Sequence, residues 1–143
     1  MLKRILLFTA ISAQIAVAQT KSKVTVTDLT RIKQVGGIEL SPDGKQAVYT
    51  ITTIEPNSDQ KADARPEEYD YKTHIYLTSL KPGDSRALTH GAESARQAVW
   101  APDGKRLAFV RTVKGKSQIF IMPLDGGEAW QLTNSNYGAS NPL

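Results

Sequence analysis

Ser41-Pro42-Asp43-Gly44-Lys45 returns sixty residues later as Ala101-Pro102-Asp103-Gly104-Lys105. Each stretch has the chemistry of a tight turn. Proline presets φ, aspartate accepts hydrogen bonds from the amides that follow, and glycine takes a positive φ. A second echo runs at a shorter spacing. His74-Ile75-Tyr76-Leu77-Thr78-Ser79-Leu80 matches Gln118-Ile119-Phe120-Ile121-Met122-Pro123-Leu124, and Leu88-Thr89 matches Leu132-Thr133, both forty-four residues on. The first unit therefore carries about sixteen extra residues between its turn and its next apolar segment. The polar stretch Glu55 to Lys72, rich in Asp, Glu, Lys and Pro, has the composition of such a surface insertion.

A period near 44 built from short strands predicts the blades of a β-propeller, four strands to a blade. In the second unit the predicted strands are Gln97 to Ala101, Leu107 to Thr112, Gln118 to Leu124 and Glu128 to Thr133. Turns at Pro102 to Lys105, Lys114-Gly115-Lys116 and Asp125-Gly126-Gly127 separate them. The first unit repeats this with Gly37 to Leu40, Ala47 to Thr53, His74 to Leu80 and Ser85 to Thr89, and Lys81-Pro82-Gly83-Asp84 replaces the Asp-Gly-Gly turn. Before it, Thr27 caps a predicted short helix from Asp28 to about Gln34, stopped by Gly36 or Gly37.

The predicted fold is all-β, a partial propeller after a leader and a short helix. Its parts are a leader over 1–18, a linker and helix over 19–36, a first blade over 37–94 with an insertion at 55–72, a second blade over 95–138, and the start of a third over 139–143. Asn141-Pro142-Leu143 falls at the repeat position of Gln97-Ala98-Val99, so the pattern stops as a third blade begins. Closed propellers use about four to eight blades, and the expectation is a piece of a larger protein. Two blades alone leave an apolar face and a sheet edge uncovered, which favours self-association.

The first residues have the layout of an export signal: Lys3 and Arg4, a mostly apolar run from Ile5 to Ile15, then Ala16-Val17-Ala18. Cleavage is expected between Ala18 and Gln19. The apolar run is shorter than the roughly 20 residues of a membrane-spanning helix, so no membrane anchor is expected after cleavage. Localisation across the inner membrane, in the periplasm of a two-membrane cell, follows as an expectation.

Composition narrows the chemistry. The chain has 143 residues, 40% apolar and 22% charged, a net charge of +4, two histidines and no cysteine. There is thus no thiolate zinc site, disulfide or cysteine nucleophile, and a multi-histidine metal site is not expected. No cofactor is expected either. Basic residues are scattered among acids, and a nucleic-acid partner is not indicated.

The wording of the repeats is more specific than their spacing. "SPDGKQAVY", "APDGKRLAFV", "SQIFIMPLDGGEAWQLT" and "GASNPL", with the prefix "VTVTDLTRIKQVGGIELSPDGK", resemble the propeller of the prolyl oligopeptidase family of serine peptidases, closest to the acylaminoacyl-peptidase and dipeptidyl-peptidase branch. The resemblance spans about residues 24 to 143. It implies a following C-terminal α/β-hydrolase domain as partner, with a Ser-Asp-His triad, and peptide substrates filtered or gated by the propeller. An alternative is a non-enzymatic periplasmic binding propeller resembling that of the Tol–Pal system, whose repeats share the Pro-Asp-Gly-Lys turn.

No catalytic residue of that scheme is expected in this chain. Gly138-Ala139-Ser140-Asn141-Pro142 begins like a Gly-x-Ser-x-Gly nucleophile elbow but ends in proline, and Ser140 is not taken as a nucleophile. Glu67 and Glu68 are the only substrate-binding candidates. The resemblance implies a glutamate pair that holds a substrate amino terminus in the dipeptidyl peptidases, but this pair lies in the insertion and does not match the family's motif, so a solvated loop is preferred. His74 and His90 are read as solvated or locally hydrogen-bonded, Asp43 and Asp103 as turn residues. Trp100, Tyr49, Phe109, Tyr76 and Phe120 are read as core between sheets.

Overall fold

The structure is a computed structural model that describes residues 23–57, 69–81 and 84–142. The leader over 1–18, the centre of the insertion and the Glu67-Glu68 pair lie outside the described residues.

The pattern of the turns becomes two open four-stranded antiparallel sheets. The first contains β1 (Gln34–Leu40), β2 (Gln46–Pro56), β3 (Tyr69–Ser79) and β4 (Ser85–Ala87), hydrogen-bonded in chain order. The second contains β5 (Ala95–Trp100), β6 (Arg106–Val113), β7 (Lys116–Pro123) and β8 (Trp130–Gln131), again in chain order. Within each sheet neighbouring strands follow one another in sequence and pair antiparallel, so no crossover is needed.

The register repeats between the sheets. Ser41 N donates to Gln46 O and Gly44 N to Ser41 O, each at 2.9 Å; Ala101 N to Arg106 O and Gly104 N to Ala101 O do the same at the same distance. Gly44 and Gly104 share a φ of 66°, the left-handed conformation that their turns require. Both first strands carry a bulge, between Gly36 and Glu39 and between Arg96 and Val99. The fourth strands are latched alike. Ile75 N donates to Thr89 Oγ1 and Ile119 N to Thr133 Oγ1, both at 2.9 Å.

Several boundaries differ from expectation: β1 begins at Gln34, inside the predicted 19–36 linker and helix, and β5 at Ala95. The helix α1 spans only Val26–Leu29, capped by Thr25 rather than Thr27. Asp28 Oδ2 accepts from Thr25 N at 2.7 Å and from Thr25 Oγ1 at 2.8 Å, which fixes the start two residues early. Those bonds, the Thr25 amide first, hold the Asp28 carboxyl below its ordinary value. The helix cannot reach Gln34, because Gln34 and Val35 already pair with Thr52 and Ile51. The insertion is also narrower than 55–72: Glu55 pairs with Asp70 and Pro56 with Tyr69, so β2 and β3 extend as a long hairpin into it. The fourth strands are shorter than predicted, since the Leu-Thr pairs that follow them bond through single amides and hydroxyls rather than through a ladder.

The core lies between the sheets. Val48, Ile75 and Leu77 of the first sheet pack with Ala95, Ala98, Trp100, Leu107, Phe109 and Phe120 of the second. Strand β5 runs along the seam against β1, β2 and β3. Trp100 stitches it: the indole N–H donates to Glu39 O at 3.3 Å and the Trp100 amide to Glu39 Oε1 at 3.4 Å. Trp100, Phe109 and Phe120 are thus core, as their repeat positions suggested. Tyr49 and Tyr76 are not part of it. Tyr49 stands opposite Tyr76 and Val48 opposite Leu77, and successive residues of a strand face opposite ways. The tyrosine pair therefore occupies the face turned away from the second sheet, half-buried, with Tyr49 Oη 2.6 Å from Ser85 Oγ.

Candidate functional site: the cleft between the sheets

At the β4 side of the seam the sheets part and leave a cleft of about 460 Å³. Arg86, Leu88 and His90 line it from the first sheet, and Arg111, Met122 and Glu128 from the second. Arg86 stands opposite Leu77 on β3, on the face turned to the core. His90, the residue after the buried latch Thr89, is exposed at the cleft wall.

Arg111 is the unusual member. Its guanidinium carbon lies 5.4 Å from the centre of the Phe109 ring and 5.5 Å from that of Phe120. Cation–π attraction offsets part of the cost of placing a charge there. Its Nε is buried and has no hydrogen-bond partner. None of the ion pairs among the described residues involves Arg111 or Arg86. A half-buried cation without an acid is costly unless something compensates it.

His74 and Gln118 share one repeat position and solve it differently. Gln118 is buried and bonded three times: its Nε2 donates to Ser135 O at 2.7 Å, and its Oε1 accepts from Thr133 Oγ1 at 2.8 Å and Ser135 N at 3.0 Å. That anchors the segment after β8, and Ala139 N then donates to Ser117 O at 2.7 Å. In the first sheet the segment after β4 bonds to the neighbours of His74 instead, Thr73 N donating to Ser94 Oγ at 3.1 Å and Lys72 Nζ to Ala92 O at 2.9 Å. The His74 Nδ1 is buried without a hydrogen-bond partner, so the expected solvated or locally bonded imidazole is not found at that atom. Burial first, then the charges of His90, Arg111 and Lys72 hold its pKa below the ordinary value, against an opposing pull from Glu55.

The other sequence candidates lie apart. Ser140 is exposed in the segment after β8, and α1 is the only helix among the described residues. Asp43 and Asp103 sit in the turns, where their carboxylates accept from Lys45 N at 3.1 Å and Lys105 N at 2.9 Å. Arg111 escaped sequence reasoning because the repeat was read for its sameness. The signal was a difference: its counterpart sixty residues earlier is Ile51, and a cation at an apolar strand position calls for a reason. The cleft's arrangement suits binding, since it sets guanidinium donors beside an apolar wall.

No family model matches the chain. Among curated proteins, the chain is similar to the "Uncharacterized peptidase YuxL" of Bacillus subtilis, 35% identical over 124 residues, which is 86% of this chain and 17% of that protein. It is also similar to "Dipeptidyl-peptidase 5" of Porphyromonas endodontalis, 31% identical over 122 residues, 85% of this chain and 16% of the peptidase. A weaker likeness, 29% over 98 residues, joins it to the "Uncharacterized protein Atu1656" of Agrobacterium fabrum, covering 68% of this chain and 28% of that protein. The chain thus spans about a sixth of the length of the two proteins named as peptidases.

Proposed function

We propose that these residues are the N-terminal propeller portion of an exported serine peptidase of the prolyl oligopeptidase family, in the acylaminoacyl-peptidase and dipeptidyl-peptidase branch. In this reading the two sheets are the first two blades of a ring. The ring sits over a C-terminal α/β-hydrolase domain and filters the peptides that reach it. The observation that carries the proposal is the similarity to two proteins named as peptidases, each running through more than four-fifths of this chain. The repeated register of two four-stranded sheets supports the blade reading. The leader-like first residues support export. Catalysis belongs to the hydrolase domain, and none is assigned to residues of this chain.

The test is the DNA beyond the codon for Leu143, followed by expression of the whole reading frame. The reading expects a third Pro-Asp-Gly turn, further blades, and a Gly-x-Ser-x-Gly elbow whose serine is labelled by a fluorophosphonate probe. A frame with blades alone and no elbow sinks the peptidase reading and favours the binding propeller.

A further inference from the structure

We propose that the cleft between the sheets is a binding site for a small organic carboxylate with an apolar body, held by Arg111 and Arg86. The inference does not rest on the peptidase reading. It begins from a charge with no acid partner. Arg111 lies over the stacked Phe109–Phe120 pair with its Nε buried and unbonded, and no carboxylate of the described residues pairs with it. Arginine presents a planar fork of donors that matches a carboxylate two bonds at a time. A second arginine, Arg86, lines the same cleft from the opposite sheet, as does His90.

Part of the wall is apolar. Leu88, Met122, Pro123 and Leu124 line the cavity, whose 460 Å³ falls in the range of small-ligand sites. A bare inorganic anion would satisfy the arginines but leave that wall wet. An aliphatic carboxylate satisfies both. Glu128 is the one acid in the lining. It forms no ion pair with either arginine, but its negative charge at the wall opposes an incoming carboxylate.

The experiment is calorimetric titration of the full chain with 4-methylpentanoate, with 4-methylpentanamide and with sodium phosphate. The carboxylate is expected to bind at least about tenfold more tightly than the amide, the step that one charge-assisted contact supplies, and more tightly than phosphate. Arg111→Gln is expected to weaken carboxylate binding at least about tenfold. Arg86→Gln should weaken it, and Glu128→Gln tighten it, each by about threefold, the scale of a partly exposed ion pair. Acid and amide binding equally, phosphate binding more tightly than the acid, or no binding by the acid overturns the proposal. Where circular dichroism shows that Arg111→Gln has lost its strand signal, the two exposed variants decide. Unchanged affinity in both overturns it.

Discussion

Tyr49 and Tyr76 hold in the first sheet the repeat positions that Phe109 and Phe120 hold in the second. Both pairs stack, with ring centres 5.6 Å and 5.8 Å apart. The phenylalanines are buried in the seam, and the tyrosines face the other way and stay half-buried. One backbone pattern thus supports two different surroundings. The turns and the buried apolar pattern fix the register of each sheet. The residue chosen at each register position answers to what lies across from its face. A hydroxyl on Tyr49 that reaches Ser85 suits a face with water at its margin, and bare rings suit the seam.

The sharpest way to break that contrast is to truncate one ring of each pair. Phe109 is 1% exposed, and Phe109→Ala should cost about 3–5 kcal/mol through lost transfer energy and a cavity. Tyr49→Ala should cost about 1–2 kcal/mol, the ordinary range of point substitutions. Urea unfolding of both variants checks this. Equal losses would mean that the tyrosine face is as deeply packed as the seam.

The threonine latches come next. Thr89 is 2% exposed, and Thr89→Val leaves the Ile75 amide without its acceptor where water cannot replace it. The expected cost is about 1–3 kcal/mol, that of a buried unsatisfied donor. Thr133 makes the same bond and a second one to Gln118, but it is only half-buried. Thr133→Val should therefore cost about 1 kcal/mol, with water taking up part of the loss. Amide hydrogen exchange at Ile75 and Ile119 reads the two latches separately. Faster exchange at Ile119 than at Ile75 across the two variants would reverse the assignment.

The first-strand bulge offers a smaller test. The φ values are 55° at Gly37 and 53° at Gln97, sixty residues apart, so glycine holds the left-handed position in one sheet and glutamine in the other. A side chain there costs roughly 1–2 kcal/mol. Gly37→Ala should destabilise by about that amount, since its Cβ would also meet Thr50 Oγ1 at 3.4 Å. Gln97→Gly should gain less, because glycine also loosens the unfolded chain. Thermal unfolding of both distinguishes them, and a stabilising Gly37→Ala would show that the bulge tolerates a side chain.

Those two bulges mark where sequence reading stops. The Pro-Asp-Gly turns, the paired echoes and the count of strands were legible because turn chemistry is local and repeats are a matter of spacing. The short helix was legible in kind but not in length, because Gln34 and Val35 gain more from pairing with β2 than from continuing the helix. Which face of the first sheet meets the second was not legible. Tyr49 and Phe109 look alike in a repeat, and only the placement of β5 on the Val48 face separates them. The cleft was hidden for the same reason: the Ile51-to-Arg111 difference was readable, but that Arg86, far away in sequence, lines the same cavity was not.

The smallest contrast lies in the two turns themselves. Ser41 is buried, and its hydroxyl donates to Asp43 Oδ1 at 2.7 Å while accepting from Gln46 N at 3.0 Å. Its counterpart is Ala101, which offers neither bond. The Asp43 carboxyl is held below its ordinary value by the Ser41 hydroxyl first and the Lys45 amide second; at Asp103 the Lys105 amide leads and Arg106 follows. Ser41→Ala should therefore cost about 0.5–1.5 kcal/mol at neutral pH and raise the Asp43 pKa, leaving Asp103 unmoved. The sign of the pH dependence follows. A carboxyl whose pKa is depressed by folding stabilises the fold above its unfolded value near 3.8, and that contribution is lost as pH falls through the folded value. The parent should lose stability to acid more steeply than Ser41→Ala below that point, since the variant has less depression to lose. Carbon-detected titration of the two side-chain carboxyls checks it. A shift at Asp103 as large as that at Asp43 would show that the two turns, sixty residues apart, answer to a shared field and not to their own hydroxyls and amides.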